Sequence, residues 1–253
     1  MFGSVPASVA IPVGIVLVVL PFSVAAVTRV GARSVGDSGA DRLFVAVFSG
    51  FALWLLGVVT VVELRPASIA QWNPVLGLLS WAVPIAVILF GLHRSVRMQA
   101  ALATRFALAG LAALMTCRIV GAVFLILHGR GELAGLFAYP AAYGDILVGV
   151  TAPIAAWAAW SRFDEVLTAG SVWRAVFVGW NVVGLADMFM AVTLGLTNLP
   201  GMFRLFHGEM DTSIMAQLPM TLFPAFLVST ATALHFVMLA AVRRSPVPNN
   251  APA

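Results

Sequence analysis

The sequence predicts an all-α integral membrane protein, a bundle of seven transmembrane helices. Three observations predict it: 61% of the 253 residues are apolar and 9% are charged, mean hydropathy is +1.02, and the apolar residues gather into long unbroken runs. That composition is incompatible with an ordinary soluble domain. Each run can cross a ~30 Å hydrocarbon core at ~1.5 Å of rise per residue. A membrane β-barrel would show short alternating segments instead.

Span one is placed at Val9 to Val30. No basic stretch precedes it and its charges follow it, the reverse of a cleaved signal, so it reads as a retained first helix. Span two, Leu43 to Val62, carries Trp54 and ends at Glu63. Span three, Pro74 to Leu92, opens on a proline and stops before His93. Span four, Phe106 to Leu127, holds Arg118 and Cys117, span five, Ala138 to Trp160, holds Asp145, and span six, Val172 to Leu196, holds Asn181 and Asp187. Span seven, Gln217 to Val242, holds His235 and ends on Arg243 and Arg244. No internal linker divides the chain, so residues 1–245 form one domain and 246–253 a short disordered cytoplasmic tail.

Arginines in the connections set the orientation, because cytoplasmic loops collect positive charge. Arg29, Arg33, Arg42, Arg94, Arg97, Arg105, Arg162, Arg174, Arg243 and Arg244 fall on one side, against Arg65, Arg130 and Arg204 on the other. The N-terminus is therefore expected outside and the C-terminus inside, in a multi-pass protein of the plasma (inner) membrane. The net charge of +4 is spread over loops rather than clustered, which argues against nucleic-acid binding. All fourteen basic residues are arginine; a rhodopsin-like use of the seven helices is excluded, since no lysine can form the retinal Schiff base. The single cysteine, Cys117, excludes a disulfide framework and a thiolate metal site.

Arg118 is the one arginine near the middle of a span, and a guanidinium in hydrocarbon needs a partner. Counting from the outer helix ends puts Arg118, Asp145 and Asp187 at depths of about 15, 10 and 13 Å. At 100° per residue Arg118 shares a stripe with Gly121, Leu125 and His128, Asp145 with Gly149, Ala152 and Ala156, and Asp187 with Trp180, Asn181, Gly184 and Ala191. Small residues in such rows let helices approach closely. Spans four to six are thus expected to enclose the cluster, in a polar pocket opening outward between spans four to seven. Tyr143 and Trp180 are candidates for its lining, and Glu63, His128, His207 and Glu209 for its mouth. His235, two turns inside span seven, is expected to bond Asn181 and Thr232 in the inner half.

One arginine with one aspartate would be a structural ion pair. The second aspartate leaves a surplus negative charge, stable in hydrocarbon only if protonated, hydrated or bound to a cation. The expected function is therefore binding or transport of a small solute with proton coupling. An intramembrane enzyme, a metal- or haem-binding redox protein acting on a lipid-soluble substrate, and a membrane sensor or assembly factor are the alternatives. No nucleotide-binding loop, zincin helix or nucleophile elbow occurs.

Prolines fall in spans one, three, five and seven (Pro12, Pro21, Pro74, Pro84, Pro140, Pro153, Pro219 and Pro224) and in none of the others. Broken helices at membrane depth are common in transporters, and Trp54, Pro84 and His93 faintly parallel Trp180, Pro224 and His235. The connection from Thr197 to Ala216 is the longest. Met202, Phe203 and Phe206 against Arg204 and His207 suggest an interfacial helix acting as a lid. No cofactor is predicted, with two alternatives kept: copper on His207, Met202 and Met210, as thioether and imidazole favour Cu(I), and b-type haem between His93 and His235.

Overall fold

The computed structural model describes residues 5–64 and 74–244; Arg65 and the tail expected at 246–253 lie outside the described residues. Nine helices and a short turn of 3-10 helix at Ser213–Ala216 follow one another, with no strand among the described residues. Seven of the helices are long and apolar enough to cross a membrane. These are α1 (Ala7–Ser34), α2 (Ala40–Leu64), α3 (Pro74–Arg94), α5 (Arg105–Gly129), α6 (Gly135–Ser161), α8 (Val172–Asn198) and α9 (Phe223–Arg244). Two short helices, α4 (Val96–Leu102) and α7 (Phe163–Leu167), lie in connections.

Local signals account for the boundaries. Ser95, Thr104 and Ser171 cap α4, α5 and α8, each hydroxyl accepting a first-turn backbone N–H at 3.2 Å. After α1 the chain reverses at Gly36, whose φ of +76° is the left-handed conformation that glycine adopts without strain. Its N–H donates to Arg33 O and that of Asp37 to Ala32 O. Across this turn Arg29 and Arg33 share the Asp41 carboxylate.

The core is built on α9, which is buried along most of its length, whereas only Ala40 is buried on α2. Helix α6 packs along the whole of α5 and against α8. Close approach depends on glycines: a Cβ on Gly149 would meet the backbone N of Ile119 at 2.9 Å, and one on Gly110 would meet Val27 at 2.8 Å. Helix α2 lies along α1, with Phe22 edge-on to Phe44. It reaches α9 through Phe51 on Phe226 and through Trp54, whose Nε1 donates to Ala225 O at 2.9 Å.

Three expectations are corrected. Span four is not one regular helix: residues Met115–Ala122 of α5 tighten into 3-10 geometry around Arg118, although no proline lies there. Span seven begins at Phe223 rather than Gln217 and opens with a π-helical segment, Phe223–Val228, containing Pro224. A π turn leaves carbonyls without their usual helical donor, and Trp54 supplies one. Helices α1, α3 and α6 continue through their internal prolines. Lastly, no interfacial helix forms at 202–207; the chain turns at Gly201 and runs irregularly. Leu205 N and Phe206 N donate to Thr197 O, and the Arg204 guanidinium donates to Phe206 O and Gly208 O.

Candidate functional site

Arg118 lies in the 3-10 segment of α5, which turns its side chain into the bundle, where it is 3% exposed. Its Nε donates to Asp145 Oδ1 on α6 at 2.8 Å, and its Nη2 is ion-paired with Asp187 Oδ2 on α8. Nη1 reaches Gly184 O at 3.4 Å and His235 Nε2 on α9 at 3.3 Å. One guanidinium therefore ties four helices together. Bonds to ionised groups inside apolar surroundings are short and strong, and removing one partner leaves the other uncompensated.

The bond directions fix the histidine tautomer. Arginine has no acceptor, so Nε2 of His235 must accept and the ring proton sits on Nδ1. That nitrogen lies 2.9 Å from Asn181 Oδ1, and Asn181 Nδ2 donates to Phe177 O at 2.9 Å. The imidazole is thus neutral. Two carboxylates then face one cation, and Asp187 Oδ1 is buried with no hydrogen-bond partner.

Glycines make the room these polar groups occupy. A Cβ on Gly121 would fall on Asp145, one on Gly144 on the Asp187 carboxylate, and one on Gly184 on the His235 ring. Two small cavities adjoin the network. One of about 70 Å³ is lined by Asp145, Trp81, Phe124, Phe137, Met188 and Phe223, with Thr212, Met215 and Ala216 closing it. The other, about 20 Å³, is bounded by Arg118, Cys117, Asp145 and Thr230. Either admits water-sized molecules, the larger a few. The closing segment is tied down by Thr212 Oγ1 donating to Gly195 O at 2.8 Å and by Ala134 N donating to Asp211 O at 3.1 Å.

Of the residues singled out from sequence, the structure brings together Arg118, Asp145, Asp187, Asn181 and His235. Trp180 stands beside them, its ring 5.4 Å from that of His235 and its Nε1 bonded to Thr151. Several others lie elsewhere. Tyr143 is 59% exposed, because two residues along a helix from Asp145 is the opposite face. His128 bonds Leu133 O and packs on Tyr139, and Glu63, His207 and Glu209 are exposed. None of these lines either cavity. His235 is not a separate inner-half group but part of the network, and Thr232 bonds Val228 O and receives Trp81 Nε1 instead.

Among the described residues, no three His, Cys, Asp or Glu side chains gather as a metal would require. Met202 is 75% exposed and His207 is exposed too. His93 is exposed, whereas both ring nitrogens of His235 are engaged. The faint repeat therefore pairs positions with unlike surroundings.

Seven membrane-length helices around a buried polar network define a multi-pass membrane protein. Residues 74–243 match the family described as a domain of unknown function, DUF8737, and the chain belongs to that family. The match runs from α3 to α9 and takes in the whole network, leaving α1 and α2 outside it. No curated protein and no solved structure matches the chain.

Proposed function

We propose that the protein binds or moves a small solute, coupled to a proton that the Arg118, Asp145 and Asp187 cluster takes up and releases. The observation that carries this reading is the surplus carboxylate: two acids share one guanidinium, the histidine is neutral, and Asp187 Oδ1 has no partner. A buried charge in that position is held by a proton, a water or a cation. The solute enters the cavity beside Asp145, whose volume of about 70 Å³ limits it to a few heavy atoms. With the arginine-rich ends cytoplasmic, that cavity faces outward in the plasma membrane, and the 212–216 segment covers it. The 3-10 segment of α5 and the π turn of α9 flank the cluster and are the places where the bundle can rearrange.

A second reading, a purely structural lock, is favoured by the engagement of every guanidinium nitrogen. One experiment separates the two. Small solutes are screened by thermal shift against purified protein at two pH values, and hits are carried into vesicles with an imposed pH gradient. The coupled reading expects uptake that follows the gradient and is lost in Asp145→Asn or Asp187→Asn with the fold retained. Uptake indifferent to the gradient, or absence of any pH-dependent hit, leaves the lock.

A further inference from the structure

A cavity much larger than the two beside Arg118 lies elsewhere in the bundle. Helix α2 rests on α1 and on the π turn of α9, and between α2 and α3 lies a cavity of about 540 Å³. Val47 and Gly50 of α2, Pro84 and Ile88 of α3, Met98 of α4 and Leu234 of α9 line it. Leu53 and Val87, also on its wall, are 69% and 64% exposed, so the cavity opens sideways between α2 and α3. Among its polar residues, Thr28 donates to Val24 O and Trp54 to Ala225 O. Such an apolar lining offers water few partners and suits an apolar ligand. Its volume is that of a typical small-molecule site.

The cavity runs to the arginine-rich end of the bundle. Ala46 on its wall is one helical turn from Arg42, and Met98 follows Arg97 in sequence. The two guanidiniums converge on Gly39: a Cβ there would stand 3.3 Å from Arg97 Nη1 and 3.8 Å from Arg42 Nη2. Neither arginine has an ion-pair or hydrogen-bond partner among the described residues, while Arg29 and Arg33 share Asp41. Asp37 adds a second carboxylate, 3.1 Å from the same point and bonded to Gly39 N at 2.7 Å. Four arginines thus face two aspartates, and the excess is positive.

We propose that this cleft is a binding site for an anionic phospholipid, with one acyl chain between α2 and α3 and the phosphate on Arg42 and Arg97. Apolar volume open to the bilayer calls for a chain, and unpaired guanidiniums at its polar end call for an anionic headgroup. The occupant reaches the protein from the leaflet at that end. Thr230 and Leu234, on the cleft wall, also bound the small cavity beside Arg118, so the lipid touches the same stretch of α9.

The test uses the full chain in vesicles of equal parts phosphatidylglycerol and phosphatidylcholine with identical acyl chains, followed by native mass spectrometry. Wild type is expected to retain phosphatidylglycerol over phosphatidylcholine by about tenfold or more. Arg42→Gln with Arg97→Gln, both exposed positions, should abolish the preference while lipid is still retained. Gly50→Leu, where an added side chain meets nothing within 4 Å, should fill the cleft and release both lipids. Equal retention of the two lipids by wild type, no retention, or retention unchanged in Gly50→Leu would each overturn the proposal. Thermal unfolding of each variant confirms the fold.

Discussion

Arg118 Nη1 and His235 Nε2 stand 3.3 Å apart, so a helix disturbed by 3-10 geometry and one disturbed by a π turn meet through a single polar contact. Because the guanidinium only donates, the imidazole must be the Nδ1–H tautomer, donating to Asn181. Nitrogen NMR of labelled histidine should show that tautomer, neutral, for one of the four histidines. His235→Ala leaves Asn181 Oδ1 without its donor at a cost of about 1–3 kcal/mol, read as a lower unfolding temperature in detergent.

Gly144 tests whether the carboxylate placement is tight. Its Cα abuts the Asp187 carboxylate, so Gly144→Ala forces the aspartate to move. A loss of about 1–3 kcal/mol is expected, as for other overpacked sites. Gly57→Ala on α2, where nothing lies within 4 Å, should show no loss. Thermal unfolding of the two variants side by side checks this.

Removing Arg118 exposes the charge arrangement. Arg118→Gln leaves two buried carboxylates facing each other without a cation and should cost about 3–5 kcal/mol. Adding Asp187→Asn removes one of those charges, so the double variant should be more stable than Arg118→Gln alone. A double-mutant cycle measures that coupling; strictly additive losses would mean that the two groups do not interact.

Trp54 tests the attachment of α2. Trp54→Phe keeps the ring's apolar contact but removes one of the two side-chain donors to Ala225 O in the π segment, leaving the Ser229 hydroxyl. The expected loss is about 1 kcal/mol, with faster hydrogen exchange at Phe223–Val228 as the local readout.

Much of the polar network was legible before any coordinates because helical arithmetic is reliable within a regular span. Depth and phase placed Asp145 and Asp187 opposite Arg118, and Gly121, Gly149 and Gly184 marked the contact faces. Tyr143 falls off the contact face because about 200° of helical rotation separates it from Asp145. His235 was harder. A π turn inserts extra backbone between Phe223 and the rest of α9, so every later residue is rotated relative to an uninterrupted pattern. The 3-10 segment around Arg118 likewise has no proline or glycine pair to announce it. Apolar contacts across chain-distant helices, such as Phe51 with Phe226, create the cleft beside α2 and leave no local pattern.

The most direct measurement is infrared difference spectroscopy of the reconstituted protein through a pH titration, following the C=O stretch of protonated carboxyl groups. A surplus acid at Arg118 should give such a band, growing as pH falls and removed or shifted by Asp187→Asn or Asp145→Asn. Absence of any protonated-carboxyl signal sensitive to those substitutions would contradict the proton-accepting site.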